Sequence, residues 1–237
     1  MILSLRQLNQ LWGPPSNLMR KNLDDPLGPV CTDTRQLERG NFYVPLIGDK
    51  FNGHAFLDQA YRKGAQGTVI SEDSDIKVPQ NLMHWKVSNT TYAYQQLGML
   101  NRLSLNIPVV AVTGSVGKTT TRELIKSAIS SLGPILCTSE NENNDIGVPA
   151  TMLKGTPDHV VAVIEMGMRG LGEIERLSCC TKPDIAVITN IGNAHIGRLG
   201  SRNEIAKAKC EITKCLNPKG VVIIPAYDPL LEEALAQ

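Results

Sequence analysis

Val109-Val-Ala-Val-Thr-Gly-Ser-Val-Gly-Lys-Thr-Thr-Thr121 is an apolar run that ends in a glycine turn and continues into a segment opened by Lys118 and Thr119. An unbroken β-branched run predicts a strand buried on both faces, and the residues after the turn predict a helix. Gly114 and Gly117 let the backbone approach an anion closely. The free N–H groups at the helix start, with the helix dipole behind them, favour negative charge there. Thr113, Gly114, Ser115, Val116, Gly117, Lys118, Thr119 and Thr120 are therefore candidate phosphate-binding residues. In this role Lys118 reaches terminal phosphates and the Thr119 hydroxyl binds Mg²⁺, so the chain is expected to handle a nucleoside triphosphate. The usual phosphate-loop pattern places a glycine five positions before the Gly-Lys pair, where this chain has Val112. An ordinary glycine turn before a helix is the competing reading.

From the loop onward, strands and helices alternate. Strands are predicted at 109–113, 160–166, 184–190 and 220–224, and helices at 118–132, 172–180 and 202–216. Ile185-Ala-Val-Ile188 and Val221-Val-Ile-Ile224 are continuous apolar runs. Such runs belong to a parallel sheet wrapped by helices, where ligands bind beyond the carboxyl ends of the strands. Glu165 and Asn190 close two of these strands, and His195 follows in the next loop. Thr119, Glu165 and His195 are thus candidate metal ligands on one rim. Thr and carboxylate suit Mg²⁺, and His suits Mn²⁺ better. A solvated strand-end charge is the alternative for Glu165, and a metal-free loop histidine for His195. Ser201-x-x-Glu204 reads as a capping box. Lys209 projects beside the Ile205, Ala208, Ile212, Leu216 stripe, where a cation needs a partner or must snorkel outward.

The first hundred residues read as a mixed α/β unit. Strands are expected at 41–47 and 67–70. Helices are expected at 56–62 and 89–103, with an amphipathic first helix in Met1–Trp12. A boundary near residue 105 divides the chain into 1–105 and 106–237. Apolar content is 42%, charged content 20% and net charge +1, which predicts packed globular units and gives no electrostatic reason for a nucleic-acid partner. No run is long enough for a membrane span, and no signal-peptide pattern appears. Six cysteines without a C-x-x-C pair are expected as reduced thiols in a cytoplasmic protein, with no zinc site. Trp12 and Trp85 are expected in packing, His84 and His159 as loop-surface histidines, and Glu72–Asp75 as a solvated turn.

These features together resemble the Mur ligases, ATP-dependent enzymes that extend the peptide of bacterial cell-wall precursors. Thr113–Thr120 looks like their shortened phosphate loop. Glu165-Met-Gly167 and Thr189-Asn-Ile-Gly-Asn-Ala-His195 look like their metal motifs, and Glu204–Ile212 like the segment carrying their helical lysine. Thr32-Asp-Thr-Arg35, Gly40–Gly48 and Gly53-His54 resemble the family's uridine-nucleotide domain. Asn141-Glu-Asn-Asn-Asp-Ile-Gly-Val-Pro149, Glu165–Gly170 and Ala194–Gly200 point within the family to the branch that joins D-alanyl-D-alanine to UDP-N-acetylmuramoyl-tripeptide.

The resemblance implies an N-terminal UDP-substrate domain followed by a partial P-loop parallel-sheet ATPase domain. It implies ATP with Mg²⁺ (or Mn²⁺) as cofactors, those two substrates as partners, and a monomer. Lys118, Glu165, His195 and Lys209 would be catalytic. Thr32, Asp33, Thr34, Arg35, Asn141, Asn143 and Asn144 would bind substrate. Lys209 would join the metal ligands only if carbamylated, as in sister enzymes. The family carries a further C-terminal domain, so this chain alone is expected to be inactive. Ile224-Pro-Ala-Tyr-Asp228 departs from the family pattern. A small-molecule kinase and a non-catalytic UDP-glycopeptide-binding fragment are the two alternatives.

Overall fold

A computed structural model describes residues 3–17, 22–48 and 50–236. They form two compact units, residues 1–96 and 97–237. No helix among the described residues is long and apolar enough to cross a membrane.

In the N-terminal unit, strand β1 (Leu3–Ser4) runs straight into helix α1 (Leu5–Trp12). Ser4 sets the boundary: its hydroxyl accepts the Gln7 N–H while the Gln7 side chain accepts the Ser4 N–H, a complete capping box. Leu5 and Leu8 carry the buried stripe, while Met1 and Ile2 lie outside the described residues. Strand β2 (Pro26–Leu27) pairs with β1. A parallel four-stranded sheet follows in the order β3 (Val30–Cys31), β4 (Phe42–Tyr43), β7 (Gly67–Ser71), β8 (Met83–Val87). The strand expected over 41–47 is shorter, because Pro45 has no N–H to donate to a ladder. The chain turns instead into a small exposed hairpin, β5 (Ile47–Gly48) and β6 (Phe51–Asn52), before helix α2 (Leu57–Arg62). Helix α3 spans Thr90–Ser104.

Trp12, Phe42 and Trp85 form one aromatic cluster, with ring centroids 5.8–6.4 Å apart. His84 is not the surface histidine its sequence context suggested. It sits 8% exposed in β8, which the alternating Met83–Val87 segment did not advertise.

His54 is also buried, at 1% exposure. Its Nε2 accepts the Ser71 N–H at 3.0 Å, and its Nδ1 lies 2.8 Å from Asn52 Oδ1. Nε2 can accept only when unprotonated, and burial lowers the ring's pKa below its ordinary 6.5. Because the folded pKa is the lower one, the unfolded chain takes up the proton first as pH falls. This contribution to stability is present above pH 6.5 and drains away below it. Thermal melts from pH 7.5 to 5 should show a steeper loss for the native protein than for His54→Gln.

In the C-terminal unit, five parallel strands lie in the order β10 (Ile135–Cys137), β11 (Val161–Glu165), β9 (Val109–Thr113), β12 (Ile185–Ile188), β13 (Val221–Ile223). Every residue of central β9 is buried. Val109, Ala111, Ile164 and Ala186 face one apolar layer built on Val148, Met152, Ile174, Leu177, Ile205 and Ala208. Val110, Val112 and Val163 face the other, against Ile125 and Ile129. The helices are α4 (Lys118–Ala128), α5 (Gly147–Leu153), α6 (Glu173–Thr181), α7 (Ile196–Leu199), α8 (Arg202–Cys210) and α9 (Pro229–Ala236).

Three expectations change here. Strand β13 is an edge strand, and Val221 and Ile223 are 54% and 50% exposed rather than buried on both faces. The helix expected to run to residue 216 ends at Cys210 and tightens into a 3₁₀ turn at Glu211–Thr213. Only half of the Ser201 capping box forms: Ser201 Oγ accepts the Glu204 N–H, but the Glu204 carboxylate turns to Lys207.

Cys179 and Cys215 form a disulfide, against the expectation of six reduced thiols; Cys180 and Cys210 are buried and free. Burial in apolar surroundings raises the Cys180 thiol to about 12 and Cys210 to about 11. The bond closes a loop of sequence separation 36, so chain entropy predicts stabilisation of about 4 kcal/mol. Cys215→Ala should lower the melting temperature, and dithiothreitol should lower that of the native protein but not of the variant.

Candidate active site

The phosphate loop leaves the carboxyl end of β9 and is held from the side by the residues that follow β12. Thr113 Oγ1 donates to the Met166 carbonyl at 2.9 Å. The Asn190 carbonyl accepts the Ser115 N–H at 3.1 Å, and Asn190 Oδ1 accepts the Val116 N–H at 3.2 Å. Thr189 Oγ1 and Asn190 Nδ2 both donate to the Val116 carbonyl, and Ser115 Oγ accepts the Gly192 N–H. Thr189 and Asn190 thus act as the outer wall of the loop, a role that sequence position alone does not show. Gly114 has φ +148°, and a Cβ there would overlap Thr189 Oγ1. Gly117 has φ +80° as the residue before α4, and a Cβ there would meet only open space. The first glycine permits close packing of the loop on its wall; the second leaves an open cradle at a helix N-terminus. Lys118 Nζ folds back to the Gly114 carbonyl at 3.0 Å, while Thr119 and Thr120 are exposed at the start of α4.

Glu165, at the end of β11, is 3% exposed and fully engaged. Thr119 Oγ1 donates to its Oε2 at 2.9 Å, and Asn143 Nδ2 donates to its Oε1 at 2.8 Å. Arg122, not singled out from sequence, donates to Oε2 at 3.3 Å. Its signal was a cation three residues beyond Thr119, hence on the same helical face. Thr119 and Glu165 offer hard oxygen donors beside an open phosphate cradle, which fits Mg²⁺.

Beside them lies a cavity of about 320 Å³, whose lining includes Lys118, Asn141, Asn143, Asn144, Arg169, His195 and Lys209. His195 has φ +67° at the start of α7 and is exposed. Desolvation, then Lys209 and Lys118, push its pKa down, so the ring is neutral at pH 7. Lys209 is 2% exposed; burial, and secondarily Lys118, bring its pKa down to about 8. Asn144 Oδ1 accepts the N–H groups of Ile146 and Gly147 and so shapes the start of α5. The Glu211 carboxylate, two residues past Lys209, accepts the N–H groups of Gly172 and Glu175 at the start of α6. It ties the loop carrying Arg169 to the helix carrying Lys209.

The N-terminal unit holds a separate cavity of about 520 Å³, lined by Thr32, Asp33, Thr34, Arg35, Tyr43, Phe51, Phe56 and Gln59. Arg35 grips Asp33 through Nε and Nη2, and this hydrogen bonding holds the Asp33 carboxyl down at about 2. Thr34 Oγ1 donates to Gln59 at 2.8 Å. Half-exposed Phe51 and Phe56 add flat apolar walls that the sequence reading did not include.

Residues 112–237 match the family model described as Mur ligase middle domain. The UDP-N-acetylmuramoyl-tripeptide–D-alanyl-D-alanine ligase of Synechocystis is 42% identical over 210 residues, covering 89% of this chain and 46% of that protein. The ligase of the same name from Bacillus subtilis is 42% identical over 205 residues, covering 86% and 45%. The crystal structure of MurF from Acinetobacter baumannii superposes with a TM-score of 0.87 at 33% identity over 100% of this chain and 52% of its own. MurF from Thermotoga maritima in complex with ADP gives 0.79 at 27% identity, over 89% and 48%. The chain therefore spans about half the length of these relatives. On the family match and the site geometry together, this chain belongs to the Mur ligase family.

Proposed function

We propose that the chain carries the nucleotide-handling parts of an ATP-dependent ligase that joins D-alanyl-D-alanine to UDP-N-acetylmuramoyl-tripeptide in peptidoglycan precursor synthesis. The observation that carries this reading is the Thr119–Glu165 contact, set between the open cradle at Gly117 and the cavity holding Lys118, His195 and Lys209. The names of the relatives supply the substrates. The Asp33–Arg35 cavity in the N-terminal unit, with its aromatic walls, suits a flat polar base carrying a diphosphate.

In this reading the tripeptide's terminal carboxylate attacks the γ-phosphorus of ATP, and the bond to ADP breaks with its electron pair leaving on ADP. The amine of D-alanyl-D-alanine then attacks the acyl carbon, inorganic phosphate leaves, and the amine gives up a proton. Magnesium, when bound, supplies charge neutralisation on the phosphoryl oxygens. Backbone N–H groups after Gly117 orient the triphosphate, and Lys118 lies within reach of an anion seated there. Glu165 and Thr119 would hold the metal. Asn141 and Asn143 border the acceptor end. His195, neutral at pH 7, is available as a further ligand, as is Lys209 once carbamylated.

The test has two arms. Calorimetry on this chain should show saturable Mg²⁺–ADP binding that Lys118→Ala weakens at least about tenfold. A fusion to the remaining length of the Synechocystis ligase should release phosphate from ATP only when both tripeptide nucleotide and D-alanyl-D-alanine are present. A folded fusion that binds ADP but releases no phosphate with both acceptors overturns the reading.

A further inference from the structure

Arg122 is 3% exposed, which is unusual for a guanidinium. Its guanidinium makes four contacts with three acceptor atoms. Nε and Nη2 reach Glu123 Oε1 at 3.1 and 2.7 Å, and Nη1 reaches Glu165 Oε2 at 3.3 Å and the Ser139 carbonyl at 3.4 Å. Thr119 and Arg122 stand three residues apart on α4 and meet the same carboxylate oxygen from one face. Asn143 fixes the other oxygen, and the Glu165 N–H is held by Thr138 Oγ1. The metal-facing carboxylate therefore has a single orientation, and a buried cation sets it.

The charge balance around Glu165 points further. Glu123 takes the two shortest contacts of Arg122, but from the half-exposed side, where water screens it more than it screens buried Glu165. Among the charged side chains lining the adjoining cavity, Lys118, Arg169 and buried Lys209 outnumber Glu173. Among the described residues no group of three or more His, Cys, Asp and Glu side chains gathers to hold a metal. A bare divalent ion would thus meet one buried carboxylate already paired with Arg122 and a cavity in which cations outnumber anions. A nucleoside triphosphate reverses that balance.

We infer that Arg122 is a positioning residue that gates the metal site: it aims Glu165 at the phosphate loop, and its fixed charge keeps a divalent cation out until the cation arrives with a nucleotide. This rests on the nucleotide-binding reading above. Electron paramagnetic resonance with Mn²⁺ on the full chain tests it. Mn²⁺ alone should show no saturable site up to about 1 mM, and Mn²⁺–ADP should bind. Arg122→Gln should gain Mn²⁺-alone binding by about tenfold or more, since removing one charge a few ångströms from a dication is worth over 1 kcal/mol even in a watery dielectric. Arg122→Lys should restore exclusion yet bind Mn²⁺–ADP less tightly, because an ammonium cannot span all three acceptors.

Mn²⁺ binding to the nucleotide-free native protein that Glu165→Gln abolishes would overturn the gate. So would an Arg122→Gln protein that is folded by circular dichroism and still blind to Mn²⁺. If Arg122→Gln does not fold, the native and Arg122→Lys arms decide: a lysine variant that binds Mn²⁺–ADP as tightly as native removes the positioning role. Failure of the native protein to bind Mn²⁺–ADP would instead count against the nucleotide site itself.

Discussion

Gly114→Ala is expected to abolish nucleotide binding and to loosen the C-terminal unit at the same time. Its φ of +148° strains any residue with a side chain, on the order of 1–3 kcal/mol. The added methyl would also occupy the position of Thr189 Oγ1, the group that secures the Val116 carbonyl. Relief requires the loop to leave its Thr189–Asn190 wall, which unpairs the Ser115 and Val116 N–H groups together. Affinity for Mg²⁺–ADP should fall by about 100-fold or more, and the melting temperature should fall with it. Gly117→Ala is the informative contrast. Its φ of +80° also carries strain at the helix N-terminus proposed to hold the phosphates, but the methyl meets nothing within 4 Å. That variant should bind nucleotide poorly while melting within a few degrees of native. Equal melting temperatures for the two variants would contradict this division of labour between the glycines.

Lys209→Met should do the opposite to stability. Lys209 is 2% exposed, and burial with Lys118 nearby lowers its pKa from 10.5 to about 8. Below pH 8 the folded protein therefore holds an amine charged in a place that disfavours charge. The shift corresponds to a cost of about 3 kcal/mol, roughly halved by relaxation around the charge. The sign follows from proton binding: between pH 8 and 10.5 the unfolded chain holds the proton that the folded one has released, so stability from this group rises with pH across that window. A methionine of similar length removes the cost at pH 7. The variant should melt a few degrees higher than native at pH 7, with the gap shrinking as pH approaches 10. In the fusion to the remaining length of the Synechocystis ligase, the proposed role of Lys209 as a carbamylated metal ligand predicts a loss of activity of about a thousandfold. A stabilised, inactive variant is the pattern expected of a residue kept for chemistry at the expense of the fold.

Legibility from sequence followed burial. Strand β9 and its loop were plain, because an apolar run buried on both faces and followed by Gly-Lys-Thr admits few structures. Lys209 was visible from helical phase. Strand β10 was not, since Ile135–Cys137 offers three residues after a proline. Helix α5 hid inside an Asn-rich stretch, where Pro149 looks like a breaker but falls in the first helical turn, whose N–H groups need no partner. Arg122 and Phe51, and the loop-wall role of Asn190, were not legible for one shared reason: periodicity gives the face a side chain occupies, while its partner comes from a distant strand or loop. The Cys179–Cys215 bond is of the same kind, joining positions that no local spacing links.

The order of the sheet also has a consequence for how the protein is made. Central β9 takes one neighbour from Val161–Glu165 and the other from Ile185–Ile188. During translation, then, the Gly-Lys-Thr segment emerges long before either flank, and Thr189, Asn190 and Gly192 leave the ribosome last among the parts that shape it. The nascent chain must keep Val109–Thr113 from pairing elsewhere until then, which makes this strand the point at which slow synthesis or a missing chaperone would first be felt.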